Sequence, residues 1–161
     1  ILVAPVSRSS IVLGKTFGGA TIATINGLIV LVISSALGFI EFGIGTLLAI
    51  PFMVLIAISF VAMGLIIASR MKSMEGFQMI MSFLVMPIFL LSGALFPLNN
   101  VPDAMRIISY LDPLSYGIDG IRGSLIGITN MGLIVDFFML LGISVGLIMV
   151  GTLMFKKSTQ L

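Results

Sequence analysis

The sequence alternates between long apolar runs and shorter stretches that contain most of its charged residues. A helix needs about 20 residues, at roughly 1.5 Å of rise each, to cross the hydrocarbon core of a membrane. Four of the runs are that long, so the pattern predicts an all-α membrane protein whose 161 residues form a single transmembrane domain. The predicted transmembrane helices are residues 17–40, 44–69, 77–96 and 133–155.

The connections between these spans differ in length. Phe42 and Gly43 form a turn that leaves no room for an outer domain, so spans one and two are predicted to form an antiparallel hairpin. The stretch RMKSMEG at 70–76 is just long enough to reverse the chain. Residues 97–132 are too many for a turn and too apolar for a free loop. Because non-spanning backbone at membrane depth must be covered by protein or line a cavity, they are predicted to form an outer re-entrant segment.

Two short amphipathic helices are predicted within this outer segment. The first carries Ala104, Met105, Ile108 and Leu111 on one apolar face. It ends at Asp112-Pro113, because the residue before a proline disfavours helical backbone. The second has an apolar and a polar face, and on the polar face Asp119 and Arg122 are three residues apart and able to pair. Its apolar face carries Leu114, Ile118, Ile121 and Leu125, and its polar face carries Ser115, Asp119 and Arg122. Its many glycines predict close packing against another helix, and they are Gly117, Gly120, Gly123 and Gly127.

Residues 1–16 are too short to span the membrane and are interrupted by Pro5, Arg8 and Gly14. Ser7 is a suitable N-cap after Pro5, and Ile11 and Lys15 follow at helical spacing, which favours a short amphipathic segment at the cytoplasmic surface. An irregular linker is the alternative interpretation of the same residues.

The triplet Gly14-Lys15-Thr16 has the ending of a phosphate-binding loop. The first glycine of such a loop, which lets successive N–H groups point at phosphate, is replaced here by Ser9. An apolar run follows from Phe17, where a soluble helix would be expected. Lys15 is therefore interpreted as a basic anchor at the membrane surface and not as a nucleotide ligand.

The basic residues are distributed unevenly between the two ends of the spans. If the spans alternate in direction, six basic residues lie on one side of the membrane and two, Arg106 and Arg122, on the other. This bias predicts that both ends of the chain are cytoplasmic, and we expect the plasma membrane of a prokaryote, its inner membrane. No basic stripe has interleaved aromatics, so no nucleic-acid partner is predicted. The six are Arg8, Lys15, Arg70, Lys72, Lys156 and Lys157.

The composition agrees with a membrane protein and excludes several kinds of chemistry. Hydrophobic residues make up 59% of the chain and charged residues 9%, whereas soluble domains are about a quarter charged. The chain has no Cys and no His, which excludes thiol chemistry, disulfides and the commonest transition-metal ligands. No metal or bound cofactor is predicted. Because the chain starts at Ile1 without Met, we expect it to be the C-terminal part of a longer protein.

Two features of the spans have both a structural and a functional interpretation. Met79, Phe83 and Met86 recur on one helical face of the third span. This face fits lipid contact or core packing, but flexible thioethers also suit a pathway for varied apolar partners. Asn26 in the first span is interpreted as bonding a neighbouring helix, with contact to a substrate as the alternative.

Two stretches resemble a known family. Residues 92–123, SGALFPLNNVPDAMRIISYLDPLSYGIDGIRG, are similar to the outer half of permeases of ATP-binding-cassette exporters of the second type, which export drugs, lipids and polysaccharides. Residues 4–15, APVSRSSIVLGK, are similar to the same family's cytoplasmic connection between its second and third spans. The resemblance covers essentially the whole chain, and residues 92–123 are its specific part.

This resemblance implies a six-span permease of which the chain holds the last four spans, with two N-terminal spans missing. It implies three partners: a second permease copy, membrane lipid, and an ATPase subunit that binds ATP with Mg²⁺. The chain itself has no ATPase motif and is predicted not to be an enzyme. By the resemblance, Pro5, Ser7, Arg8 and Lys15 belong to a helix that couples to the ATPase, and Asp112, Pro113, Tyr116, Asp119 and Arg122 to the outer re-entrant segment.

The expected function is therefore the membrane subunit of an ATP-driven exporter, and two alternatives come from other classes. An ion-coupled secondary transporter normally has ionisable residues within its spans, whereas each carboxylate here lies at a membrane edge or in the outer segment. A membrane enzyme or scaffold would use Asp112, Asp119 and Asp136 as a carboxylate site, but helix capping and pairing account for these acids adequately. The direction of transport rests on the resemblance alone.

Overall fold

The computed structural model describes residues 8–95 and 107–157, and within these ranges it has five complete helices and no strand. The four long helices are each apolar enough to cross a membrane. The prediction of an all-α protein with four spans is therefore confirmed for the described residues. The helices are α1 Arg8–Ala36, α2 Ile44–Ala68, α3 Met74–Leu91, α4 Pro113–Ile126 and α5 Leu133–Lys157.

Helices α1, α2, α4 and α5 pack together as a bundle in which α2 is central. The main core cluster joins α2 to α4 and α5 through Phe52, Leu55, Tyr116 and Leu140. The rings of Phe52 and Phe137 meet edge to face, with their centroids 6.0 Å apart. Because α2 has no charged side chain, it can bury residues on several sides at once. A smaller cluster joins α1 to α2 through Ala20, Ala57 and Ile58.

Two serines link α2 to α5 in the interior of the bundle. The hydroxyl oxygens of Ser59 and Ser144 are 2.8 Å apart, and both residues are buried. The Ser144 hydroxyl also lies 2.7 Å from the carbonyl oxygen of Leu140 and 3.2 Å from that of Leu55. Small hydroxyl residues allow helices to approach closely and to bond where no water competes.

The structure corrects the prediction that Asn26 bonds a neighbouring helix. Its side chain is exposed on α1, so no described helix covers it. Helix α1 approaches α2 through a glycine instead: a Cβ at Gly19 would lie 2.9 Å from the Cγ1 atom of Val61. Close packing of small residues, which needs no polar bond, therefore holds this pair of helices together.

Helix α3 stands apart from the bundle. None of its 18 residues is buried. Two hydrogen bonds hold its C-terminal end: the Ser109 hydroxyl donates to the Leu91 carbonyl at 2.6 Å, and the Arg122 guanidinium donates to the Gly93 carbonyl at 2.7 Å. An apolar helix with so few protein contacts is compatible with a membrane, because lipid tails solvate it as well as other apolar side chains do.

Helix α1 differs from the predicted first span, 17–40, at both ends. Residues 8–16 continue into the span as one helix, which corrects the prediction of a separate surface segment in this part of 1–16. Gly14 lies inside the helix with no atom within 4 Å of the position its Cβ would take, so it does not interrupt the backbone. At the other end, Gly38 has a φ of +78°, a left-handed conformation that terminates helices before residue 40 is reached.

The remaining spans agree with the helices to within a few residues. Helix α2 ends at Ala68 where 69 was predicted, and α5 reaches Lys157 where 155 was predicted. Helix α3 begins at Met74 and not at 77, because the Ser73 side chain accepts a hydrogen bond from the Gly76 amide and caps the helix there. It ends at Leu91, so the predicted end at 96 is too late.

Most of the first predicted outer helix lies at 96–106, outside the described residues. Residues 107–109 are helical. Ile108 and Leu111, which belong to its predicted apolar face, are 50% and 79% exposed. This face therefore does not pack on the bundle at these two positions.

Candidate functional site

The predicted coupling residues lie at or before the start of α1. Pro5 and Ser7 are outside the described residues, and Arg8 is the first residue of the helix. Lys15 is exposed, whereas the adjacent Thr16 is fully buried. The triplet Gly14-Lys15-Thr16 belongs to continuous helix, in which N–H groups bond carbonyls four residues earlier. It therefore does not form a phosphate-binding loop.

The residues of the predicted pathway lie together on the exposed surface of α3. Met79, Phe83 and Met86 are 73%, 82% and 60% exposed. They share one face of the helix, as predicted, and none of them belongs to a core cluster of the described chain. Core packing within this part of the chain is thus excluded, and contact with lipid or with another chain remains as the structural interpretation.

Local sequence determines where α4 begins and ends. The Asp112 side chain accepts a hydrogen bond from the Leu114 amide at 2.8 Å, and Pro113 occupies the first turn, where a missing N–H is tolerated. At the other end, Gly127 has a φ of +74° and its amide bonds the Gly123 carbonyl. The predicted break at Asp112-Pro113 and the second short helix are confirmed.

The polar face of α4 is the one that packs into the bundle. Ser115, Tyr116 and Asp119 are each at most 4% exposed. The apolar residues of the predicted opposite face are only partly buried, and they are Leu114, Ile118, Ile121 and Leu125. In a membrane this arrangement is favourable, because lipid accepts the apolar face and protein provides the hydrogen bonds that the polar face needs.

Glycines allow this polar face to approach α2 closely. A Cβ at Gly117 would collide with the side chain of Ile56, and one at Gly120 would collide with the ring of Phe52. A glycine of α2 likewise permits close contact with α4, since a Cβ at Gly45 would collide with the backbone carbonyl of Ser124. The predicted close packing of the α4 glycines is therefore confirmed at Gly117 and Gly120.

Burial alters the acid–base behaviour of the N-terminal turn of α4. Desolvation raises the pKa of Asp112 to about 6, although hydrogen bonds from Leu114 and Ser115 act in the opposite direction. The Tyr116 hydroxyl donates to the Tyr110 carbonyl at 2.7 Å. Burial raises the pKa of Tyr116. Tyr116 therefore acts here as a neutral donor that fixes the turn before α4.

Asp119 holds the turn between α4 and α5. Its Oδ2 atom accepts hydrogen bonds from the backbone amides of Asn130 at 2.8 Å and Met131 at 3.0 Å, and its Oδ1 atom accepts one from the Asn130 side chain at 2.7 Å. The carboxylate is only 2% exposed. Asp119 therefore joins α4 to the turn that leads into α5.

Arg122 does not form the predicted pair with Asp119. Its guanidinium donates to the backbone carbonyl of Gly93, just beyond the end of α3, while Asp119 is occupied by Asn130 and Met131. The spacing of three residues was compatible with pairing, but both side chains find partners outside the helix. As a result, Arg122 of α4 is hydrogen-bonded to the chain just beyond α3, and Asp119 is hydrogen-bonded to the turn that precedes α5.

Asp136 lies in the first turn of α5, next to Asp119 and its hydrogen bonds. It is fully buried, and within 8–95 and 107–157 neither of its carboxylate oxygens has a hydrogen-bond partner. Its nearest acidic neighbour is Asp119. No cluster of three metal-ligating side chains occurs among residues 8–95 and 107–157, so the acids there do not form a conventional metal centre. The hydrogen bonds of this site position α4 relative to α3 and α5.

Sequence patterns missed two members of this network, Ser109 and Asn130, and the burial of a third, Asp136. Ser109 bonds Leu91, which precedes it by 18 residues, and Asn130 bonds Asp119, which precedes it by 11. Neither separation corresponds to a helical period. The burial of Asp136 is likewise invisible in its local sequence. Only the presence of polar residues beside membrane-length apolar runs pointed to these positions.

Comparison with known proteins places the chain among transport permeases. Residues 1–126 match the sequence profile of the family described as ABC-2 type transporter. The chain is 32% identical over 127 residues to Nodulation protein J of Rhizobium meliloti (strain 1021), an alignment that covers 79% of this chain and 48% of that protein. It is 29% identical over 138 residues to the inner membrane transport permease YadH of Escherichia coli (strain K12), covering 85% and 53% respectively. The chain thus spans about half the length of the curated relatives it matches.

Proposed function

Since the chain belongs to the ABC-2 type transporter family, we propose that it forms part of the permease of an ATP-driven exporter. The permease would move a substrate of the drug, lipid or polysaccharide class, using ATP that a partner ATPase subunit binds with Mg²⁺ and hydrolyses. The predicted family and the predicted localisation are both confirmed: the chain is a multi-pass protein of a prokaryotic inner membrane.

The continuity of α1 carries this proposal. The predicted coupling segment and the first span are one helix from Arg8 onward, so a force applied at its beginning is transmitted along its whole length. Its first turns also pack on the bundle: a Cβ at Gly151 would lie 3.5 Å from Ile66 and 3.7 Å from Val12. An ATPase docked near Arg8 would thus act on α1, α2 and α5 together.

The distribution of charge supports an orientation with the start of α1 in the cytoplasm. The ends of the spans near Arg8, Arg70 and Lys156 carry six basic residues, and the opposite ends carry two. In this orientation α4 and its network lie on the outer side. We propose that α4 is part of a re-entrant segment, because it is too short to span and its polar face is covered by protein.

A second copy of the permease is the proposed partner of α3. This helix is long and apolar enough to span, yet the described chain buries none of its residues. Met79, Phe83 and Met86 would then face either the second copy or a substrate pathway between the copies. Lipid is the alternative neighbour of the same face.

An ion-coupled carrier is the second candidate, and the burial of Asp136 is the observation that favours it. Such carriers use ionisable groups within the membrane to bind the coupling ion. Asp136 is, however, in the first turn of α5 and so at the edge of the span. ATP-dependent transport in proteoliposomes that lack ion gradients would exclude this candidate.

Single cysteines test the exporter proposal directly, because the chain has no native Cys. Ser9→Cys, at the start of α1, is expected to cross-link to the ATPase subunit in membranes, and the yield should change with bound nucleotide. Glu41→Cys is the control, since Glu41 is exposed at the opposite ends of α1 and α2. A cross-link at residue 41, or no cross-link at residue 9 with both subunits present, would contradict the proposal.

A further inference from the structure

Asp136 is a buried acid without a hydrogen-bond donor. It is 0% exposed, and both of its carboxylate oxygens are unpartnered. An ionised carboxylate in such a place would lose its hydration without any replacement, which costs several kcal/mol in effective terms. The structure therefore requires something, either a cation or a proton, to neutralise Asp136.

Asp119, the acidic neighbour of Asp136, is in the opposite situation. Two backbone amides and one side-chain amide donate to its carboxylate. Two neighbouring carboxyl groups in a medium of low dielectric do not both ionise, so the pair retains one proton between them. The donors hold the Asp119 carboxylate in place beside Asp136.

Among the described residues, no cationic side chain faces Asp136 from the helices packed against it. Helix α2 has no titratable residue between Ile44 and Ala68, and the Arg122 guanidinium of α4 is bonded to the Gly93 carbonyl. The basic residues of α1 and α5 lie at the other ends of those helices. The titratable groups at the Asp136 end are Asp119, Tyr116, Tyr110 and Asp112 around α4, and the exposed Glu41 between α1 and α2.

We propose that Asp119 and Asp136 form a buried proton-binding site, in which the two carboxyl groups share one proton. The shared proton joins α5 to α4 and to the turn at Asn130 and Met131. Its release to the outer solvent leaves two buried negative charges in contact, which repel one another and loosen the packing of α4 on α5. The site concerns only this chain's residues and does not depend on what the permease transports.

Infrared spectroscopy of the complete protein in lipid nanodiscs tests the protonation directly. At neutral pH we expect the carbonyl-stretching band of a protonated carboxylic acid, and we expect Asp136→Asn to abolish it. Asp112→Asn and Glu41→Gln are matched controls that should retain the band at this pH. The proposal is overturned if the native protein shows no such band, or if the band survives in Asp136→Asn.

Thermal unfolding provides a second test that separates a proton from a metal cation. A native state that holds one proton more than the unfolded chain loses stability as pH rises, so Tm should fall from neutral to alkaline pH. Asp136→Asn, a neutral isostere, should remove this part of the pH dependence. At constant pH and ionic strength, exchanging Na⁺ or K⁺ for choline should leave Tm unchanged. A Tm that instead depends on the metal cation would mean that a cation, and not a proton, neutralises Asp136.

Discussion

Helices α3 and α4 are consecutive in the chain but relate to the bundle in opposite ways. Helix α3 is an 18-residue apolar helix with no buried residue, whereas α4 has 14 residues, of which Ser115, Asp119 and several glycines are buried. In a water-soluble protein the apolar helix would be the buried one. Here the short polar helix is buried, because lipid accepts apolar side chains but cannot hydrogen-bond polar ones.

The comparison shows that α4 makes its close contacts with the bundle at small and polar residues. Gly117 and Gly120 let α4 contact Ile56 and Phe52, and Asp119 bonds the turn that leads to α5. Helix α3 offers Met and Phe side chains, which lipid solvates as well as protein does. It is therefore held mainly at its end, by Ser109 and Arg122.

The largest effect is expected from removing the carboxylate that anchors α4. Asp119→Ala leaves the partly buried amides of Asn130 and Met131 without their acceptor, and an unsatisfied polar group costs about 1–3 kcal/mol. We expect a loss of about 3 kcal/mol in the free energy of unfolding, measured by thermal or denaturant unfolding in detergent. An unchanged stability would show that α4 is held by its apolar contacts alone.

A methyl group on the buried face of α4 should have the next largest effect. Gly120→Ala forces the new Cβ against the Phe52 ring, and overpacking of this kind costs about 1–3 kcal/mol. Gly142→Ala is the matched control on α5, because no atom lies within 4 Å of its Cβ position. We expect the control to be as stable as the native protein or slightly more stable. Equal effects of the two substitutions would contradict the close packing of α4.

The third expected effect is a smaller one, a dependence of stability on pH that comes from Asp112. The pKa of Asp112 is raised from 3.8 to about 6 by burial, so its neutral form favours the folded state. The stability that this group contributes is fully present below its ordinary pKa and is lost as pH rises through about 6. Asp112→Asn, which can still cap the helix, should flatten the Tm profile over this interval. Identical profiles for the two proteins would contradict the burial of Asp112.

The smallest effect is expected on α3. Phe83 is 82% exposed, so Phe83→Ala should change the free energy of unfolding by less than about 0.5 kcal/mol. Phe52→Ala in the core is the contrasting variant and should cost about 3–5 kcal/mol. Similar losses in the complete protein would mean that another chain covers this face of α3, which is the place proposed for the second permease copy.

Sequence patterns predicted most of the elements, because each pattern acts over a few neighbouring residues. Runs of apolar residues identified four spans, and Asp112-Pro113 identified the start of α4 through capping and the missing proline N–H. The start of α1 was misplaced, because Arg8 and Gly14 were taken as interruptions of a helix that in fact continues through them. A single charge or glycine near the end of a span does not stop a helix when the packing continues.

The network around α4 could be predicted only in part. The correct residues were identified as the outer segment, but Asp119 was paired with Arg122 at a spacing of three. The actual partners, Asn130 for Asp119 and Gly93 for Arg122, are 11 and 29 residues away along the chain. Pairing at such distances depends on how the chain turns between helices, and no local period encodes it.

The sequence by itself determined that this chain lies in a membrane, how many times it can cross, and which family it belongs to. These properties follow from composition, from the length of apolar runs and from short motifs, which do not require knowledge of distant contacts. The tertiary structure alone decided that the polar face of α4 turns inward, that α3 remains uncovered, and that Asp136 is buried beside Asp119. The physical reason is that a membrane solvates apolar faces without protein, so the position of each helix depends on where its few polar and small residues find partners.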